Sequence, residues 1–257
     1  MKKTGKTVII VSVLLTGACV VPFLYIFLLS VKDTDGTVTF LNFYKVFLAE
    51  SQYLLRFWKS LMPALAIAAG QVLVSVLAGF GFAKCRFPGK DILFFALLIL
   101  MILPLQVTLV ANYLILDAMH WLDTYYALIL PNIFVPLGAF IMTQSFKSVP
   151  NEIIEAARLD GCTTLGIIVK IAAPMNLSGI LCTMLLSFLD GWNMVEQPLV
   201  YLQDVTDYPL SVALALTRTG TTGVQMVCCL LTALPSLFLF SYFNRELVEG
   251  ITIGGEK

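Results

Sequence analysis

Residues 148–174 read SVPNEIIEAARLDGCTTLGIIVKIAAP, a polar stretch between two long apolar runs, and its punctuation predicts a helix-turn-helix. Ser148 can cap a first helix, and Pro150 sits near the first turn, where a missing N–H costs nothing. Gly161 ends that helix, because the residue just past a helix often needs φ > 0. Thr163 and Thr164 can start a second helix that runs through Ile167, Ile168 and Ile171 until Pro174. Ala156 and Ala157 are expected to leave a smooth surface on which another protein's side chains can lie close. Such an element, in a chain with no catalytic motif of its own, points to a membrane pore driven by a partner.

Working outward, the composition is that of a membrane protein. The chain has 257 residues, of which 59% are hydrophobic and only 12% charged, against roughly 25% charged in soluble domains. Charge-poor windows at 7–31, 60–83, 92–116, 124–146, 171–189 and 219–244 each exceed or approach the roughly 20 residues a helix needs to cross about 30 Å of hydrocarbon. The expectation is an all-α membrane protein with six transmembrane helices, forming a single domain over residues 1–257.

Lys and Arg in the connections set the orientation, since positive residues stay on the cytoplasmic side. With the N-terminus inside, Lys2, Lys3, Lys6, Lys84, Arg86, Lys90, Lys147, Arg158, Lys170, Arg245 and Lys257 fall on inner segments. Only Lys32, Lys45, Arg56, Lys59 and Arg218 fall outside. Both termini and the 148–174 element are therefore expected in the cytoplasm.

Several classes are excluded. A formal net charge of zero and the absence of a basic stripe interleaved with aromatics argue against nucleic acid. Cys19, Cys85, Cys162, Cys182, Cys228 and Cys229 lack metal-ligand spacing, and most fall in spans or inner loops, so they read as packing residues. Gly5-Lys6-Thr7 echoes a phosphate-binding loop but lacks the upstream Gly and a preceding strand. Lys2, Lys3 and Lys6 ahead of an apolar run to Cys19 look like a lipoprotein signal, yet the run continues to Leu29, as an uncleaved anchor would. Glu152 and Glu155, three apart, mimic an acid pair, but no HExxH or GxSxG motif accompanies them, and no enzyme activity is expected. His120, beside Trp121 at a membrane edge, reads as structural.

Polar groups at membrane depth mark function by default. Asp190, Trp192, Asn193 and Glu196 follow the fifth apolar run, and if one helix spans from about residue 171 to 196, Asp190 and Asn193 sit a turn apart on one face. Asp and Asn suit a hydroxyl-rich ligand and Trp192 offers a platform for a sugar ring; interfacial anchoring and loop capping are the alternative reading. Pro22, Pro63, Pro104, Pro131, Pro136 and Pro235 punctuate the helices, and Ala66, Gly70, Gly79 and Gly81 allow close helix approach. Phe40, Leu41, Phe43, Tyr44 and Phe47, in the long outer segment 32–59, read as interfacial.

The spacing Glu155-Ala156-Ala157, Gly161, Ile171 and Pro174 resembles the EAA loop of permease subunits of type I ABC importers, with Ala173 standing where the family usually has Leu. Asn42-Phe43-Tyr44, the AKCRFPG run at 83–89, Pro104, Gly191-Trp192-Asn193, Pro235 and residues 245–250 extend the likeness to the carbohydrate-uptake branch, which includes the smaller maltose-transporter permease. Lys59-Ser60 departs from that branch, which often has Asn-Ser there. The resemblance implies a heteromeric complex in a bacterial cell membrane: a second, unlike permease, two cytoplasmic ATPase subunits, and an extracytoplasmic sugar-binding protein. It also implies that ATP-Mg is held by the partner ATPases, with no cofactor on this chain. Glu155, Ala156, Ala157, Asp160, Gly161 and Pro174 would form the ATPase-coupling element. Import of a polyol, a glycerophosphate or another small solute is the nearer alternative. An ion-coupled secondary carrier is further off, since the windows lack acids and the chain lacks inverted repeats.

Overall fold

The computed structural model describes residues 2–32, 36–49, 52–216 and 222–252; Asp33, Asp35, Arg218 and Lys257 lie outside them. Helix α1 (Lys2–Ser30) is followed by a short α2 (Leu41–Tyr44) with a π turn (Lys45–Ala49), then the long α3 (Gln52–Lys84). Next come α4 (Lys90–Ile102), α5 (Leu105–Ala118), α6 (Tyr125–Ile133) and α7 (Pro136–Lys147). The polar stretch forms α8 (Asn151–Leu159), α9 (Thr164–Ile167), a π turn (Ile168–Ala172) and α10 (Ala173–Met175). Helices α11 (Leu177–Asn193), α12 (Glu196–Tyr201), α13 (Leu210–Leu216), α14 (Thr222–Tyr242) and α15 (Asn244–Thr252) complete the described chain.

Four helical segments are long and apolar enough to cross a membrane: Val11–Ser30, Tyr53–Lys84, Tyr125–Lys147 and Thr222–Tyr242. Two bent pairs bring the number to six if each is one span, α4 with α5 at 104° and Thr164–Met175 with α11 at 87°. The first bend falls at Leu103–Pro104, where proline cannot continue α4. The second corrects the expectation that the helix after Thr163 ends at Pro174 and that one helix runs from about 171 to 196. Pro174 sits in the first turn of α10, just past the π turn in which Ala173 N–H donates to Ile168 O, and the break comes at Asn176 (φ −124°, ψ 40°). Pro22, Pro63 and Pro235 stay inside continuous helices.

Helix α3 is the hub, packed against α6, α7, α11 and α13. Small residues set its separations, as expected where apolar lipid removes most of the hydrophobic drive between helices. A Cβ on Gly79 would lie 2.5 Å from Met142 Cβ and 2.8 Å from its carbonyl carbon, and one on Gly191 would lie 3.1 Å from Ala64 Cα. Gly70 faces Ile133 in the same way, whereas Gly81 faces open space. Thr143, Thr183 and Ser187 donate their hydroxyls to carbonyls four residues back, so they cross the buried seam without orphaned donors.

The segment between α1 and α3 is pinned from within. Asn42, buried, donates its amide to Ser30 O (3.0 Å) and Lys32 O (2.8 Å), satisfying the carbonyls left at the end of α1. Lys59, where the resembled branch often has Asn, pairs with Asp207 at 2.6 Å, and Ser60 Oγ accepts from Leu210 N–H at 2.6 Å. Along the bilayer, α1 packs on α14 and leaves Val13, Leu14, Leu24 and Phe27 open.

Replacing Gly79 by Leu should push α3 from α7 and cost about 1–3 kcal/mol, the usual penalty of overpacking, whereas Gly81→Leu should cost little. Thermal unfolding of the two variants in detergent checks the contrast.

Candidate functional site

The 148–174 element is fastened to the bundle by one face of α8. Ile154 and Ala157 are 3% and 6% exposed and pack with Phe80 of α3, Met142 and Phe146 of α7, and Ile167, Ile168 and Ala172 of the second limb. With 3.6 residues per turn, two other stripes remain. Asn151, Glu155 and Arg158 border a cavity of about 530 Å³ shared with Ala83, Lys84, Cys85, Arg86 and Lys90. Glu152, Ala156 and Leu159 form the third stripe and point away, Leu159 being 89% exposed.

The helix ends as its glycine requires. Gly161 takes φ +80°, Gly161 N–H donates to Arg158 O and Cys162 N–H to Ala157 O, each at 3.0 Å, so the last carbonyls are satisfied by the turn itself. Asp160 is the exposed residue just before the turn, its N–H bonded to Ala156 O. Thr163 caps α9 by accepting from Gly166 N–H at 3.2 Å, as its position predicts.

Two expectations for this element are corrected. Ser148 does not cap α8: its hydroxyl donates to Ser145 O at 2.6 Å and lies 3.3 Å from Asn176 Oδ1, while Pro150 occupies the cap position. Nor do Ala156 and Ala157 share an outer surface. About 100° apart on the helix, they divide, Ala156 exposed and Ala157 buried against the bundle.

Two polar residues to which the sequence assigns no structural role hold the joints. Lys84, closing α3, donates to Val149 O (2.5 Å) and Asn151 Oδ1 (2.9 Å), tying α3 to the start of α8. At the elbow, buried Asn176 donates to Ala172 O (3.0 Å), satisfying a carbonyl that the break would orphan. Pro174, two residues earlier, is exposed.

A second polar constellation gathers where three helices break. Gln106, in the first turn of α5, donates to both carboxylate oxygens of Glu196 at the start of α12 (3.1 and 3.2 Å). Its neighbour Gln197 donates to Asn132 Oδ1, in the last turn of α6, at 3.4 Å. The unwound backbone is satisfied from the side: Gln71 of α3 donates to Val135 O (3.2 Å) and Ser211 to Met194 O (2.6 Å). Asp190 and Asn193 are exposed a turn apart on α11, as expected, and Asn193 donates to Leu189 O.

Trp192 leaves the set. It is 1% exposed, stacks on Phe188 at 5.9 Å, meets Phe57 edge-on at 5.5 Å, and donates its indole N–H to Thr232 O at 3.0 Å. Buried on the opposite side of α11 from Asp190, it presents no platform for a sugar ring. Nothing local in the sequence marks Gln106, Asn132 and Gln197, because only the meeting of three breaks brings them together.

Ile154→Ala should remove about 2–5 kcal/mol of packing between α8 and the bundle and speed amide exchange across α8, with Ala156→Ser unchanged. Hydrogen-exchange mass spectrometry of the detergent-solubilised protein checks it.

Comparison with known proteins bears on both regions. The arabinooligosaccharides transport system permease protein AraQ of Halalkalibacterium halodurans is 30% identical over 225 residues, covering 86% of this chain and 81% of that protein. The sn-glycerol-3-phosphate transport system permease protein UgpE of Escherichia coli K12 is 30% identical over 211 residues, covering 78% and 74%. A chain from the crystal structure of a bacterial ABC transporter involved in the import of the acidic polysaccharide alginate superposes with a TM-score of 0.80 over 92% of this chain and 95% of its own, at 18% identity, a likeness of fold. Residues 71–251, which include α8 and the three helix breaks, match a family profile over well over half of the chain. The chain belongs to the family of binding-protein-dependent transport system inner membrane components.

Proposed function

We propose that this chain is the pore subunit of an ATP-driven importer of a carbohydrate, above all an oligosaccharide, and that α8 is the lever through which a separate ATPase works it. The carrying observation is the fastening of α8: Ile154 and Ala157 join it to α3 and α7, while Glu152, Ala156 and Leu159 remain open on the far side. A push on that outer stripe reaches the bundle through packed side chains and the Lys84 and Asn176 hydrogen bonds.

In this reading one permease domain spans residues 1–257 with six membrane crossings, the bent pairs counted as one span each, and with both termini and α8 in the cytoplasm. Support comes from the eleven Lys and Arg residues on the inner segments against five outside. The complex comprises a second, unlike permease, two ATPase subunits that bind ATP-Mg, and an extracytoplasmic sugar-binding protein. This chain itself carries no catalytic group and binds no cofactor. Ala156, Asp160 and Gly161 meet the ATPase, joined by Leu159, with Glu155 at the border between that surface and the cavity beside Lys84, while Ala157 serves the packing behind them and Pro174 the short α10. Nucleotide must bind the inward-facing and outward-facing states with different affinity for the switch to operate.

The cargo reading draws on the AraQ relatives, which are named for arabinooligosaccharide transport, and on the polar set at the helix breaks. Gln106, Asn132, Asn193, Glu196 and Gln197, with Asp190, offer acceptors and amide donors suited to sugar hydroxyls. The UgpE relatives keep glycerophosphate as the second reading.

Proteoliposomes holding the whole complex should take up labelled oligosaccharide only with internal ATP, competed by a sugar panel and not by glycerol 3-phosphate. Gly161→Arg should lower ATPase copurification by on the order of tenfold or more while leaving the bundle inserted, the loss of an interface hot spot. Glu196→Ala should raise the KM of uptake severalfold with nucleotide hydrolysis intact; unchanged uptake would remove the helix-break set from the path.

A further inference from the structure

The cavity behind α8 is built for an anion. Its walls carry four cationic side chains, Lys84, Arg86, Lys90 and Arg158, against the carboxylate of Glu155, with Glu152 near enough to act on Lys84 and Asp91 bordering the adjoining cavity, so the cations still outnumber the acids. Lys84 is committed to Val149 O and Asn151 Oδ1, and Lys90 spends one of its three donors on Cys85 O at 3.2 Å. Among the described residues the guanidinium groups of Arg86 and Arg158 make no hydrogen bond, so two planar forks remain available, the geometry that grips phosphate oxygens in pairs.

A second cavity, of about 360 Å³, shares Arg86 and Lys90 with the first and continues past Phe87, Gly89 and Asp91 to Ile92. Helix α4 buries none of its residues, and Ile92, Leu93 and Phe95 stand open along it. A basic cavity thus opens directly onto an apolar helix surface at the end of the bundle. A soluble anion would use the first part alone; a phosphate with acyl chains attached uses both.

We propose that the Arg86, Lys90 and Arg158 cavity seats the phosphate of an anionic phospholipid whose acyl chains lie along Ile92 and Phe95 of α4. This goes beyond the import reading and rests only on its placement of α8 at a membrane surface. With one wall contributed by Asn151, Glu155 and Arg158, the seated lipid braces the lever along the stripe between its outer and its buried faces. Membrane charge thereby conditions how firmly α8 is held.

The test uses the whole complex in nanodiscs of phosphatidylethanolamine with or without phosphatidylglycerol, followed by native mass spectrometry of lipid retained on the permease. Wild type should keep phosphatidylglycerol and release phosphatidylethanolamine. Arg86→Gln combined with Lys90→Gln should weaken retention roughly 20- to 30-fold and Arg158→Gln about fivefold, from a gain of about fivefold per cation near an anionic lipid. Arg56→Gln, at the other end of α3, should match wild type, and equal thermal unfolding of all variants shows that folding is kept. Excess inorganic phosphate should not displace the lipid. Equal retention in wild type and the double variant overturns the proposal. Displacement by phosphate overturns it in favour of a soluble anion, and loss of ATPase subunits with unchanged retention overturns it in favour of a protein contact. Retention is read without sugar or ATP, so its outcome stands apart from the cargo and coupling assays.

Discussion

Inside a bilayer no water waits to take up a broken hydrogen bond, and this constraint explains where the described polar side chains lie. At several places where the backbone leaves its helix, a side chain meets the freed carbonyl. Gln71 serves Val135 O, Ser211 serves Met194 O, Asn42 serves Ser30 O and Lys32 O, and Asn176 serves Ala172 O. An unpartnered buried carbonyl costs about 1–3 kcal/mol, so these few residues decide where the helices can bend. The bends in turn bring α5, α6 and α12 to one point, and polar groups gather there.

The same economy shapes the polar element. Its two limbs are short, and four-residue α9 has no stability of its own in isolation. What holds it is apolar packing of Ile154, Ala157, Ile167 and Ile168 on Phe80 and Phe146, with Phe80 and Phe146 themselves meeting edge-on at 5.8 Å. The glycine turn ties off the carbonyls at one end and Asn176 those at the other. The element is therefore packed onto α3 and α7, as the proposed lever requires.

Local chemistry was legible in the residues. Gly161 at φ +80° and the Thr163 cap follow from needs that a few neighbouring atoms impose, and the apolar windows follow from the thickness of a membrane. Facts that depend on a distant partner were not legible. Trp192 resembles a ligand platform until Phe57 and Phe188 close on it; Ala157 resembles Ala156 until Phe146 and Ile167 cover one of them. The break at Asn176 was hidden by Pro174, the stronger punctuation mark, because the first turn of α10 accommodates a proline and no local rule announces the π turn before it.

Helix α3, at 33 residues, is about 50 Å long, well beyond the hydrocarbon thickness it crosses. It carries the Lys59 ion pair near one end and the Lys84 tether at the other, with no break between them despite Pro63. Such a rod cannot absorb a disturbance by flexing at its middle. Tilting it by about 5° swings the far tip roughly 4 Å, from the length its rise per residue sets. Motion imposed at one membrane face thus arrives at the other as displacement, with the bilayer's full thickness as the arm.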